Sequence, residues 1–170
     1  MGKLEVWKEK LAKIYFGEKR DWDEFFRTLT MAMEESGIEN ILIIWEEMVW
    51  FKRKKWLDAN INSLSLDGNP VKDGFKIFYE TYLNIHPDGK DGRIVEISDT
   101  KIVSEWWNEC PVLEYCKKYG LDTRLICRKV YHKPTEQFFK RISPKLNFDR
   151  NYEKIRPYAP FCEEIIWVEE

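Results

Sequence analysis

The sequence lacks an excess of charge of one sign: 28 Lys and Arg stand against 30 Asp and Glu, a formal net charge of −2. Nucleic-acid binders usually carry a basic surplus, so nucleic acid is not an expected partner. Long apolar runs are also missing. The longest is the five residues Ile41 to Trp45, far below a membrane span, and mean hydropathy is −0.56. Histidine is scarce, with only His86 and His132, and neither a Gly-rich phosphate loop nor a Gly-x-Ser-x-Gly elbow occurs. The opening residues Met-Gly-Lys-Leu-Glu-Val-Trp-Lys hold no apolar signal segment, so a cytoplasmic location is expected.

The four cysteines, Cys110, Cys116, Cys127 and Cys162, are expected to stay reduced in a cytosolic chain, which argues against a disulfide framework. Their spacing, Cys-x5-Cys-x10-Cys-x34-Cys, contains no Cys-x2-Cys knuckle of the kind that aims two thiolates at one zinc ion. Small buried apolar residues or reactive thiols remain as readings, with a cysteine-ligated metal site as a third.

Aromatics are abundant at 15%, with eight Trp among 170 residues, a length that suits one domain with a real core. Asp21-Trp22-Asp23-Glu24 reads as a capping box ahead of Phe25, Leu29 and Met33 at helical spacing, ending near Gly37. From Ile38 to about Asn60, Ile41, Ile44, Trp45, Met48 and Val49 make one apolar face. Glu46, Glu47 and the cluster Lys52-Arg53-Lys54-Lys55 are expected to lie largely away from it, as a solvated helix end or a surface for an acidic partner. Pro70 begins a further helix that carries Phe75, Phe78, Tyr79 and Tyr82. Arg93–Ser98 and Lys101–Trp107 read as a hairpin turning at Asp99-Thr100. Helices follow behind Pro111, ending at Gly120, and behind Asp122 or Thr123, the latter broken at Lys133-Pro134-Thr135. A short helix around Phe138 and Phe139 and strands over 146–155 and 162–168 close the chain. The expected fold is α+β: one domain over 1–170, mainly helical over 1–88 and mixed over 89–170, with the helical half packed on a small antiparallel sheet.

The C-terminal third has an ordered pattern: Cys110-Pro111, Gly120, Cys127, Phe138-Phe139, Pro144-x-Leu146 and Cys162-Glu163. It resembles the L-2-amino-thiazoline-4-carboxylic acid hydrolase-like family and related Trp-rich bacterial and archaeal proteins. It is similar, more distantly, to vinyl-reductase-type small-molecule-binding domains. The detailed match covers about positions 105 to 168. The family's Asp after its middle cysteine is Val130 here, and its terminal Asp-Phe is Glu163-Glu164. The resemblance implies hydrolysis of a small cyclic or amide-like substrate, with Glu163 in the place of the family's Asp as acid/base.

Such a reaction needs a nucleophile, a proton shuttle and stabilisation of a tetrahedral intermediate. Cys127 and Cys162 are the candidate nucleophiles; Arg124, Arg128 and His132 lie near Cys127 in sequence. An ideal helix would set Cys127 and His132 about 140° apart, which disfavours a dyad. Strand alternation likewise keeps Cys162 and Glu163 off one wall unless the strand bends. Alternation sends one of Trp106 and Trp107 inward. Trp106, Trp107, Cys110, His132 and Phe161 are the candidates to contact substrate, and Tyr152 and Tyr158, near Arg150 and Arg156, are further candidates for polar groups in the same cavity. The expected partner is a small-molecule substrate or ligand, no membrane is involved, and a homodimer is compatible with the reading. The alternative function is a non-catalytic small-ligand-binding or sensor module with an aromatic pocket.

Overall fold

Helix α3 (Ile38–Asn60) is the axis of the N-terminal half, and α1 (Lys3–Tyr15) and α2 (Trp22–Ser36) pack against it. The computed structural model describes residues 2–169. Asp21 caps α2, its carboxylate accepting the Glu24 amide at 3.1 Å. The five apolar α3 residues named above are all buried, and they form one core with Phe25, Leu29, Val112, Tyr115 and Val130. Fully burying a side chain of this size is worth about 1.5–3 kcal/mol, so this stripe holds the helices together. Arg53 departs from its expected place on the polar face: it is only 7% exposed.

Asn69 caps α4 (Pro70–Phe75), which widens directly into a π-helical segment over Lys76–Tyr82. Gly74, a weak helix former, is where α4 lies against Leu146 and Phe139; a Cβ there would come within 2.8 Å of Leu146 Cδ1. The hairpin forms as expected from β1 (Gly92–Ile97) and β2 (Lys101–Trp106). Helix α5 (Pro111–Tyr119) starts on its proline and ends on Gly120 in the left-handed conformation. Asp122 caps α6 (Thr123–Ile126).

Two expectations change. The helix behind Asp122 does not break at Pro134. It passes through a π segment (Cys127–His132) straight into α7 (Lys133–Ile142), and the wide turn ahead of Pro134 accommodates a ring with no amide to donate. The strand expected over 146–155 shortens to β3 (Asn147–Arg150), because the Asn151 side chain accepts the Glu153 amide and turns the chain away.

With β4 (Cys162–Trp167), the strands form one antiparallel sheet in the order β1-β2-β4-β3. The fold is α+β. Register puts Ile102, Ile166 and Phe148 in one row on the inner face, and Ser104, Glu164 and Arg150 in the next. Trp106 and Cys162 face each other in a third row. This inner face, with α4, its π extension and α7, makes a second core around Phe78, Tyr79, Phe138 and Phe139. Among the described residues no helix is long and apolar enough to cross a membrane.

Candidate functional site

A cavity of about 150 Å³ lies where the two cores meet. Phe78 and Tyr79 line it from the first π segment, Cys127 and Tyr131 from the second, and Arg53 and Thr135 from α3 and α7. Trp106, Arg150, Cys162 and Glu164 come from the sheet, Cys110 from the cap of α5, and Asn108 and Arg156 from the loops. Its volume is about that of a cavity that holds one benzene ring.

The polar row of the sheet supplies the charge. Arg150 donates from Nε (3.0 Å) and Nη2 (2.8 Å) to one Glu164 oxygen, and the Tyr79 hydroxyl donates to the other at 2.7 Å. Trp106 Nε1 donates to Ser104 Oγ at 2.8 Å in the same row. Burial works against the Arg150 charge, but the Glu164 carboxylate and the other acidic groups around it hold its pKa above the ordinary guanidinium value. Burial first, and then Glu164, push the Tyr79 phenol well up, so it stays a neutral donor. The Arg150 side chain is nine-tenths buried, and its Nη1 has no hydrogen-bond partner among the described residues. A buried guanidinium N–H left unmade is costly, so this donor is a feature to explain. The other such atom, Trp45 Nε1, sits in the first core edge-on to the Tyr115 and Tyr131 rings.

Three of the four cysteines, Cys110, Cys127 and Cys162, line this cavity, and Cys116 lies in the first core. Burial pushes the Cys127 thiol up to about 12, against the pull of Arg150, and burial also raises Cys110. Protonated thiols are poor nucleophiles. Cys162 Sγ accepts from Arg156 Nε at 3.3 Å and from the Arg156 amide at 3.5 Å. Among the described residues no group of three or more His, Cys, Asp or Glu is placed to hold a metal ion.

Strand parity separates the other candidates. Glu163 points to the opposite face from Cys162 and binds Asn151 at 3.1 Å; Glu164, two residues from Cys162, takes the cavity wall. Trp106 is a buried wall, and Trp107 is 36% exposed outside it. His132 lies in a separate surface cleft with Tyr152, whose hydroxyl is 2.7 Å from Nδ1; burial first, then Arg150, lower its pKa. Phe161 is half-buried and outside the cavity lining, and Tyr158 is half-exposed beneath Arg124. Arg150 and Arg156 reach the cavity, but their tyrosine neighbours do not.

No family model matches the chain, and no curated protein matches it. A solved structure does: the crystal structure of a mutant H-NOX protein from K. algicida in its Fe(II) unliganded form. The identity is 14% and the TM-score 0.50, over 97% of this chain and 87% of that one. The likeness is one of fold. It overturns the resemblance to thiazoline-carboxylate hydrolases, since the fold over nearly the whole chain is similar to that of the H-NOX structure. The ordered motif has a local physical explanation instead. Pro111 starts a helix, Gly120 ends it, Phe138 and Phe139 fill the second core, and Cys162 opens an edge-neighbouring strand.

Proposed function

We propose that this chain is a non-catalytic small-ligand-binding module whose cavity takes an apolar body bearing one neutral hydrogen-bond acceptor. The observation that carries the proposal is the buried, unpartnered Arg150 Nη1 on the wall of an otherwise largely apolar cavity. Glu164 already balances the Arg150 charge, so the remaining N–H calls for a carbonyl, hydroxyl or ring-nitrogen acceptor rather than another anion. The cavity's size, its aromatic walls and its protonated Cys127 all favour holding a ligand over attacking one. The fold shared with the H-NOX protein is consistent with this reading.

The iron of that protein does not fit the residues here. Neither histidine lines the cavity: His86 is in the 83–91 loop beside Asn84 and Glu80, and His132 is bound to Tyr152. The cavity cysteines Cys110, Cys127 and Cys162 are not gathered into a metal-binding group among the described residues.

Calorimetry with acetophenone and ethylbenzene tests the proposal, since the two differ in one acceptor oxygen. Acetophenone is expected to bind about tenfold more tightly, the worth of one hydrogen bond to a charged donor. In the Arg150→Met/Glu164→Gln double variant, which leaves no unpaired charge, that advantage should vanish while ethylbenzene still binds. Equal binding of the two by the unaltered protein removes Arg150 from the role. If neither binds, and native mass spectrometry of fresh protein shows no small molecule, the proposal fails.

A further inference from the structure

Beside the cavity lies a larger groove of about 520 Å³, and Arg53, Leu83, Ile85, Asn108, Cys110 and Tyr131 line both. Three cations stand along this groove: Arg20 from the α1–α2 connection, and Lys52 and Arg53 from α3. Each lies against aromatic faces. The Arg20 guanidinium is 4.7 Å from the Tyr15 ring centre and 4.4 Å from that of Trp22. Lys52 Nζ is 5.8 Å from the Tyr15 ring, and Arg53 is 5.7 Å from that of Tyr131. Among the described residues no carboxylate lies within 4.0 Å of any of the three, although Glu109 lines the same groove. Arg53 is the most telling, because it is 7% exposed and its Nη1 donates only to a neutral hydroxyl, Thr135 Oγ1, at 2.6 Å. The crowding is felt: burial first, then Arg20 and Arg53, bring the Lys52 ammonium down to about 8. By contrast Lys54, two residues on, is paired with Asp58 at 2.8 Å.

We infer that the groove is an anion subsite, in which Arg20, Lys52 and Arg53 take the carboxylate or phosphate head of an elongated ligand whose apolar end fills the cavity. The inference rests on the reading of the cavity as a ligand site. It adds the ligand class: a small amphiphile, apolar at one end and negatively charged at the other. The two spaces are neighbours with residues in common, so a shift of the side chains between them would let one molecule reach both. The anion would supply the counter-charge that the protein does not. Its aromatic walls, Tyr15, Trp22 and Tyr82, suit the linker between the two ends.

Calorimetry with three probes that share a phenyl group on a four-carbon arm tests it: 4-phenylbutyrate, 4-phenylbutyl phosphate and the neutral 4-phenylbutanol. At least one anion should bind roughly tenfold more tightly than the alcohol, as expected for charge-assisted contacts. The advantage should shrink with added salt and disappear in Arg20→Gln/Lys52→Gln, two changes on the groove's outer side. Whichever anion gains more identifies the head as carboxylate or phosphate. If all three bind equally, the groove is no anion site while the cavity reading stands. An anion advantage that survives in the double variant also overturns the inference, because the head then sits elsewhere. If none of the three binds while acetophenone does, the inference fails and the cavity reading stands; if acetophenone fails too, both fall.

Discussion

The sheet carries two cross-strand Arg–Glu pairs, one at each end of it. Arg93 on β1 opposes Glu105 on β2, and Arg150 on β3 opposes Glu164 on β4. Both are close, at 2.7 Å and 2.8 Å, and both glutamates are buried. Parity puts them on opposite faces: Glu164 shares the inner face with Ser104, and Glu105 lies on the outer face. The Arg93 side chain is 61% exposed and can complete its hydrogen bonds with water, whereas that of Arg150 is 10% exposed and leaves Nη1 unmade. The same residue pair in the same sheet thus has a solvated arginine at one end and an enclosed one with an unmade donor at the other. Access to water makes the difference, not the residue types.

The largest effect should come from breaking the inner pair alone. Arg150→Met strands Glu164 in the cavity and should cost about 3–5 kcal/mol in urea unfolding. Arg93→Met also unpairs a buried carboxylate, but removes a partner that was itself largely solvated, and should cost less, about 1–3 kcal/mol. Equal losses would abolish the contrast between the two pairs. Next comes Gly92, which sits opposite Trp106 where β1 touches the inner face. A Cβ there would collide with the Glu105 carbonyl and the Trp106 ring. Gly92→Ala should therefore shift the indole, a cavity wall, and cost about 1–3 kcal/mol. It should also weaken acetophenone binding; unchanged affinity would mean that Trp106 does not shape the site.

Much of the fold was legible in the sequence because local chemistry dictates it. The Asp21 cap, the α3 stripe, the hairpin at Asp99-Thr100 and the Gly120 stop all form where residue type and period place them. Pro134 misled because a π turn accommodates a proline that would break an α-helix. The site was legible only in part. Cys110, Cys127, Cys162 and Trp106 reach the cavity, and a count of two from Cys162 also points to Glu164 rather than Glu163. Arg53 was hidden inside a run of four basic residues. Helical period already separates it from Lys54, since it stands four residues after Val49 and four before Leu57. A charge inside a basic run nonetheless reads as solvated until the packing of α7 and the π segments encloses it.

Lys52 gives the smallest and most specific effect. Like Arg93 it is partly exposed, but it has Arg20 and Arg53 for neighbours where Arg93 has a carboxylate. Its pKa is lowered from 10.5 to about 8, so between those values the folded chain holds less proton than the unfolded chain. Stability therefore rises with pH across that window and is insensitive to Lys52 below about pH 8, where both states are protonated. Lys52→Met removes the charge that the fold must tolerate. The variant should melt higher relative to the unaltered protein at pH 7, and the gap should narrow steadily towards pH 10. An anion in the groove should do the reverse of crowding: it favours the charged lysine, so 4-phenylbutyrate binding takes up a proton near pH 8–9 and weakens above it. A melting gap that ignores pH would mean that Arg20 and Arg53 do not press on Lys52, and that the cations of the groove need no counter-charge.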